Sequence, residues 1–384
     1  MRKNILNVLS DYGMGAIKDD TRRVTLLFLG STGAGPVYSL EMAKALAATN
    51  SCILQIVISK QVSNLEEWKK QFEKTNVKLN IVETYSHNKL SFALSLFEFW
   101  KVDKIVNLIR SFKPDFLYVP FLLTWDFLIY PRLYKDMSIV ATLHDPHPHD
   151  ESGNVLANWI HKKNIQAYKY VKKVIILNKS DIPFVKKNFC KDVFVIPHAS
   201  FSYYVNHVSK ENKLQNTIGF IGRIEPYKGL ELLLNAFERL ESNYKLLIAG
   251  SGNIDNALKE KIAADKRIEL INRYIKDEEF SELINRMDFV VLPYKRASQS
   301  GVIPLVFAHG KPVVVTNVGA LKEQVPDGTG IVTEPDIKSL YKSIKELYEA
   351  PEKIFMWGVN AKRYAESELT WESSALKLLS IFEK

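Results

Sequence analysis

FIGRIEPYKGLELLLNAF, residues 220–237, holds a strand end, a loop and a helix start in eighteen residues. Phe220 and Ile221 close an apolar run, NTIGFIGR, that reads as a buried strand. Gly222-Arg223 interrupts it, and from Leu230 onward apolar residues recur on one helical face at 230, 233, 234 and 237. Strand, short loop, amphipathic helix is the repeating unit of a parallel α/β sheet. The loop carries the chemistry. Arg223 and Lys228 put a guanidinium and an ammonium five residues apart at a strand-to-helix turn, a two-pronged grip for a diphosphate.

Outward from this segment the same alternation runs twice along the chain. The second half has apolar runs at 216–223, 244–252, 268–272, 288–294, 311–316 and 329–334. The first half has them at 23–30, 52–59, 76–83, 115–120, 138–145 and 173–178. Helix-length segments such as SLEMAKALAATN and VDKIVNLIRSFK separate them. Continuous apolar strands alternating with helices predict parallel sheets covered on both faces. The helix-poor stretch ASFSYYVNHVSKENK marks the junction. The expectation is two doubly wound, Rossmann-like domains: residues 1–205, and residues 206–369 followed by a last helix at about 370–384.

Composition agrees with two ordinary cores, at 384 residues and 46% apolar. The two cysteines, Cys52 and Cys190, are far apart without flanking histidines, so neither a disulfide framework nor a zinc site is expected. The N-terminal apolar stretch is cut short by Asp11, which argues against a secretory signal, and FLYVPFLLTW (116–125) is about half of what a spanning helix needs. Charge is lopsided. Residues 1–200 hold 27 Lys+Arg against 18 Asp+Glu, residues 201–384 hold 25 against 25, so the net +9 resides in the first half. Such a field suits an anionic membrane surface. Nucleic acid is not expected, because no recognised binding module accompanies the lysines of KKNIQAYKYVKKV.

Two further segments bear on chemistry. LLFLGSTGAGPVYSLEMAKAL (26–46) runs a strand into Gly30, Gly33 and Gly35 and then into a helix, a ready anion site. It also matches a nicotinamide-dehydrogenase fingerprint. The Tyr-x-x-x-Lys which that reading requires occurs at both Tyr168/Lys172 and Tyr341/Lys345, so the pattern selects nothing, and the second domain is left unexplained. The other segment is PYKRASQSGVIPLVFAHGKPVVVTNVGALKEQV, 293–325.

With GRIEPYKGLELLLNAF and IAGSG, this segment resembles the large "group 1" family of retaining glycosyltransferases with the GT-B fold. The resemblance covers nearly the whole chain, with VIPHASF (195–201) near the interdomain link and LTWESSALKLLSIF as the helix that crosses back onto the first domain. It implies a transferase that moves a sugar from a nucleoside diphosphate sugar to a hydroxyl, with retention, for a glycan or lipid-linked acceptor. It implies a cytoplasmic protein with peripheral contact to the inner membrane face. For the donor it implies Gly33, Gly222, Arg223, Lys228, Gly250, Ile275, Ser300, Gly301, Val302 and Glu323, with His144 beside the transferred sugar and Arg223 and Lys228 on the leaving group. Neither a cofactor nor a metal is expected. Asp145, His147, His149 and Asp150 crowd the loop of His144, but diphosphate charge in such enzymes is met by Arg, Lys and helix dipoles, and no Asp-x-Asp is present.

One departure matters. The family's Glu-x7-Glu falls on Ala297 and Leu305, so both carboxylates are missing and Ser298-Gln299-Ser300-Gly301 stands in their place. The readings carried beside the transferase are a nucleotide-sugar epimerase of the same fold and a non-catalytic nucleotide-sugar binder.

Overall fold

The computed structural model describes residues 22–84, 98–122, 124–146, 155–189, 191–201 and 214–383. The junction 202–213 and the His147–Asp150 stretch lie outside them. Two wholly parallel sheets carry the fold. The first contains β1 (Arg23–Phe28), β2 (Ile53–Ser59), β3 (Lys78–Val82), β4 (Phe116–Val119), β5 (Ser138–Leu143), β6 (Lys173–Ile176) and β7 (Asp192–Val195), in the order β3-β2-β1-β4-β5-β6-β7. The second contains β8 (Thr217–Ile221), β9 (Lys245–Ala249), β10 (Ile268–Ile271), β11 (Phe289–Leu292), β12 (Val313–Thr316) and β13 (Gly330–Thr333), in the order β10-β9-β8-β11-β12-β13. Their central strands are buried along almost their whole length, because helices cover both faces; the buried Thr25 hydroxyl pairs with Gln55 at 2.8 Å.

β7 is the strand the sequence reading missed. It is four residues long, half-buried and at the sheet edge, and its short run 193–196 ends at once in Pro197.

Chain order reverses beside β1 and beside β8. β1 lies between β2 and β4, and β8 between β9 and β11. Loops leaving the carboxyl ends of β1 and β4, or of β8 and β11, diverge there and leave a crevice, the preferred ligand position of doubly wound sheets. The segments singled out in sequence leave these strands: Gly30–Gly35 after β1, Gly222-Arg223 after β8, and the 293–301 loop after β11.

The last helix, Trp371–Glu383, packs into the core of the first sheet through Trp371, Ala375, Leu378, Ile381 and Phe382. Phe382 stacks on Phe116 at 4.6 Å. The buried Lys173 ammonium donates to the Ile381 carbonyl at 2.5 Å, satisfying a carbonyl that a helix end leaves without an intrahelical partner.

Candidate functional site

On the side of the second domain the site begins where β8 ends. A Cβ placed on Gly222 would stand 3.2 Å from Lys228 Nζ and 3.5 Å from Val302 Cγ2. The ammonium therefore lies over bare backbone, facing the first residue of the helix Val302–Ala308. Gly250 holds this arrangement from behind. Its φ is +150°, and a Cβ there would come within 1.9 Å of the Gly222 carbonyl oxygen, so the turn after β9 seats directly against the turn after β8. Lys228 Nζ also sits 5.1 Å over the Tyr294 ring. Burial pushes its pKa down; Tyr227 opposes this, while the like charge of Arg223 adds to it. Arg223 itself is exposed. The Glu225 carboxylate also opposes the burial, yet the net direction stays down, so an ammonium that is partly desolvated here gains from a further anion.

Ser300 and its neighbours form a tightly held loop. Gln324 accepts from the Ser300 N–H at 2.7 Å and donates to the Ser300 carbonyl at 3.0 Å, so one amide clamps both backbone groups. The Val302 N–H donates to Ser300 Oγ at 3.3 Å, and that hydroxyl lies 3.4 Å from the Tyr294 hydroxyl. Gly301 is exposed, with an ordinary helical φ of −71° and room for a side chain. Leu305, at the second missing-carboxylate position, belongs to the apolar core.

Glu323 is placed differently from a residue lining the cleft. In this conformation its carboxylate accepts from the Lys179 N–H at 2.6 Å and from the Ser180 hydroxyl, both in the turn after β6 of the first domain. Asn178 of that turn donates to the Ser298 carbonyl at 3.3 Å. The turn Leu321–Gln324 thus grips the other domain with Glu323 and the 298–301 loop with Gln324. A donor contact by Glu323 requires this bond to open. Ile275 is buried in the core of the second sheet, whereas its neighbour Tyr274 is 71% exposed.

From the first domain, His144 follows β5. Its Nε2 lies 2.9 Å from the Pro120 carbonyl, which can only accept, so Nε2 carries the proton and Nδ1 the lone pair. The ring packs against Tyr38 (4.5 Å) and Phe121 (4.1 Å). Burial pushes its pKa down to about 3, so it is a neutral imidazole at physiological pH. His198, in the VIPHASF segment, is the residue to which the sequence reading gave no role. Its Nδ1 donates to the Ala199 carbonyl at 2.7 Å, and its ring meets Tyr38 (5.5 Å), Phe201 (5.4 Å) and Trp371 (6.3 Å).

The glycine loop after β1 divides. A Cβ on Gly30 or Gly35 would strike the Phe28 ring at 2.6 and 2.9 Å, so these two are packing glycines. Gly33, with φ +84° and nothing within 4 Å, faces open space.

Residues 215–350 match the model of the family "Glycosyl transferases group 1". The chain is similar to the capsular polysaccharide biosynthesis glycosyltransferase CapM of Staphylococcus aureus, 30% identical over 179 residues, which are 42% of this chain and 46% of that protein. It is similar to the MMP alpha-(1->4)-mannosyltransferase of Mycolicibacterium hassiacum, 28% identical over 183 residues, 46% of this chain and 44% of that one. The chain thus spans less than half the length of these relatives. Among solved structures, Anabaena Alr3699/HepE in complex with UDP superposes with a TM-score of 0.72 at 15% identity, covering 94% of this chain and 99% of that one. WaaG, a glycosyltransferase involved in lipopolysaccharide biosynthesis, superposes with 0.63 at 14% identity, covering 94% and 99%. Two parallel-sheet α/β domains together with these likenesses establish the GT-B fold.

Proposed function

We propose that the chain is a glycosyltransferase that takes a sugar from a nucleoside diphosphate sugar and places it on a hydroxyl of a glycan or lipid-linked acceptor, with retention. The observation that carries this reading is the convergence of Gly222, Lys228 and Val302 at the β8/β11 switch point, a cationic recess with bare backbone at its floor. The matched family and the similar proteins support it. In the reaction the C1–O bond to the diphosphate breaks, the acceptor oxygen bonds to C1, and the acceptor proton passes to the leaving diphosphate on the face it departs from. Lys228 and Arg223 meet the charge that develops on that diphosphate, so the proposal calls on no resident cation or cofactor. Both imidazoles spend their N–H on carbonyls, leaving each a neutral hydrogen-bond acceptor that positions hydroxyls. An epimerase needs a carboxylate base at the sugar ring; Ala297 and Leu305 supply none, and Glu323 is engaged with the first domain.

A thermal-shift screen of UDP, GDP and dTDP sugars tests the reading. A bound donor at about a hundred times its Kd stabilises the protein by roughly 2.7 kcal/mol, and product analysis with a lipid-linked acceptor then follows the transfer. If no nucleotide sugar raises the melting temperature, the reading is wrong.

The acceptor side of the proposal includes the membrane. The helices Phe99–Phe112, Asp126–Leu133 and Val155–Ala167 pack side by side on the first domain. On and beside them Phe99, Trp100, Tyr134 and Trp159 are exposed, and Lys163 lies over Trp159, Lys135 over Tyr134 and Lys169 over Tyr170 at 4.9–5.9 Å. Aromatic rings interleaved with lysines suit the headgroup layer of an anionic bilayer, where each lysine contributes about 1 kcal/mol. Among the described residues no helix is long and apolar enough to cross a membrane, so the contact proposed is peripheral. Co-sedimentation with phosphatidylglycerol vesicles should fall as salt rises and weaken in Trp100→Ala. Equal pelleting with neutral vesicles removes this part of the proposal.

A further inference from the structure

We propose that His198 is a specificity-determining residue that accepts a hydrogen bond from a hydroxyl of the transferred sugar, in place of the carboxylates lost at Ala297 and Leu305. The inference rests on the donor reading above and deepens it.

The geometry runs in one line across the cleft. Lys228 Nζ and Val302 Cγ2 flank the space over Gly222, where the diphosphate is placed. One residue back is Gly301, exposed and without a side chain. The next group is His198: a Cβ on Gly301 would stand 3.8 Å from His198 Nε2 and 3.9 Å from its Cε1. A sugar attached to the terminal phosphate must leave the recess toward the first domain, because the acceptor has to reach C1. It then runs alongside Gly301 and the edge of that imidazole.

His198 presents one chemical face to this space. A carbonyl oxygen accepts only, so the 2.7 Å contact with Ala199 fixes the proton on Nδ1 and leaves the Nε2 lone pair directed outward. The ring is held by Tyr38, Phe201 and Trp371, and the Ser200 N–H bonds the Leu369 carbonyl at 2.6 Å, fixing the segment. Sugar hydroxyls donate, so a preorganised acceptor suits them. On the opposite wall the Ser300 backbone groups are spent on Gln324, and the Ser300 hydroxyl accepts from Val302. A neutral acceptor at this point favours a sugar with a free hydroxyl facing His198 Nε2 and disfavours one that is deoxygenated or alkylated there.

The test uses whichever pair, UDP with a UDP sugar or GDP with a GDP sugar, binds the wild-type chain, measured by titration calorimetry. His198→Phe keeps an aromatic ring among Tyr38, Phe201 and Trp371 and removes the acceptor. It should lose about three- to tenfold in affinity for the intact donor, the worth of one neutral hydrogen bond, while free diphosphate binding stays within twofold. His198→Gln, which keeps an acceptor, should recover most of the loss. A His198→Phe protein that binds the intact donor as the wild type does, or loses donor and free diphosphate equally, overturns the role of His198 and leaves the donor reading standing. A wild type that binds no nucleotide sugar overturns both.

Discussion

Lys228→Ala should lower kcat/KM about ten- to hundredfold, because a charge-assisted contact to a diphosphate is worth roughly 1.5–3 kcal/mol. Arg223→Ala should fall near the lower end, since its guanidinium is exposed and screened by solvent. Stability separates this from general damage. Burial holds the Lys228 pKa below its usual range, so over the window between the depressed value and the ordinary lysine value the unfolded chain binds more protons than the folded one. Stability due to this group then rises with pH across that window, and removing the ammonium costs the free protein nothing. Donor affinity runs the other way, falling as pH climbs through the depressed pKa and the ammonium is lost. Lys228→Ala should melt at or above the wild-type temperature, lose the donor-induced shift, and flatten the alkaline fall in donor affinity. Wild-type kinetics in both Lys228→Ala and Arg223→Ala would remove the diphosphate grip from the proposal.

The parallel sheets were legible because buried parallel strands are apolar throughout and stand out against helical spacing. The edge strand β7 was not, since its short run, opened by Asp192 and closed by Pro197, lies inside a segment read as the approach to the interdomain link. Among site residues, Gly222, Lys228 and Val302 lie together, because β8 pairs with β11 in the sheet and their carboxyl ends lie side by side. Side chains whose meaning depends on the other domain were opaque. Nothing in LKEQ tells that Glu323 reaches Ser180 while Gln324 turns back to Ser300, and nothing in VIPHASF tells that its histidine faces Gly301. The glycine loop was half legible. Its three glycines look alike in sequence, yet Gly30 and Gly35 answer to the Phe28 ring and only Gly33 opens outward.

Gly319→Ala should be the most destabilising of the single-methyl substitutions compared here. Gly319 follows β12 in the TNVGA segment with φ +52°, and a Cβ there would lie 1.5 Å from the Ala297 carbonyl oxygen. The left-handed conformation alone costs a non-glycine residue about 1–2 kcal/mol. The overlap is with backbone, which cannot rotate aside as a side chain can, so the strand end or the 293–301 loop has to move. The two effects together should reach about 3–5 kcal/mol, at the upper end for point substitutions. In a domain of this size that lowers its melting temperature by roughly 6–20 °C. Two companions separate the causes. Gly33→Ala meets positive φ with nothing within 4 Å and should pay the conformational term only; Gly301→Ala has φ −71° and meets only His198 in ordinary van der Waals contact at 3.8 Å, and should be nearly neutral. Calorimetric melting of the three variants gives the ranking. Because Ala297 opens the loop that carries Ser300 and Gly301, a Gly319→Ala protein that still folds at low temperature should also bind donor poorly. If Gly319→Ala melts with Gly33→Ala and binds donor normally, the close approach of β12 to the loop is not what sets the shape of the site.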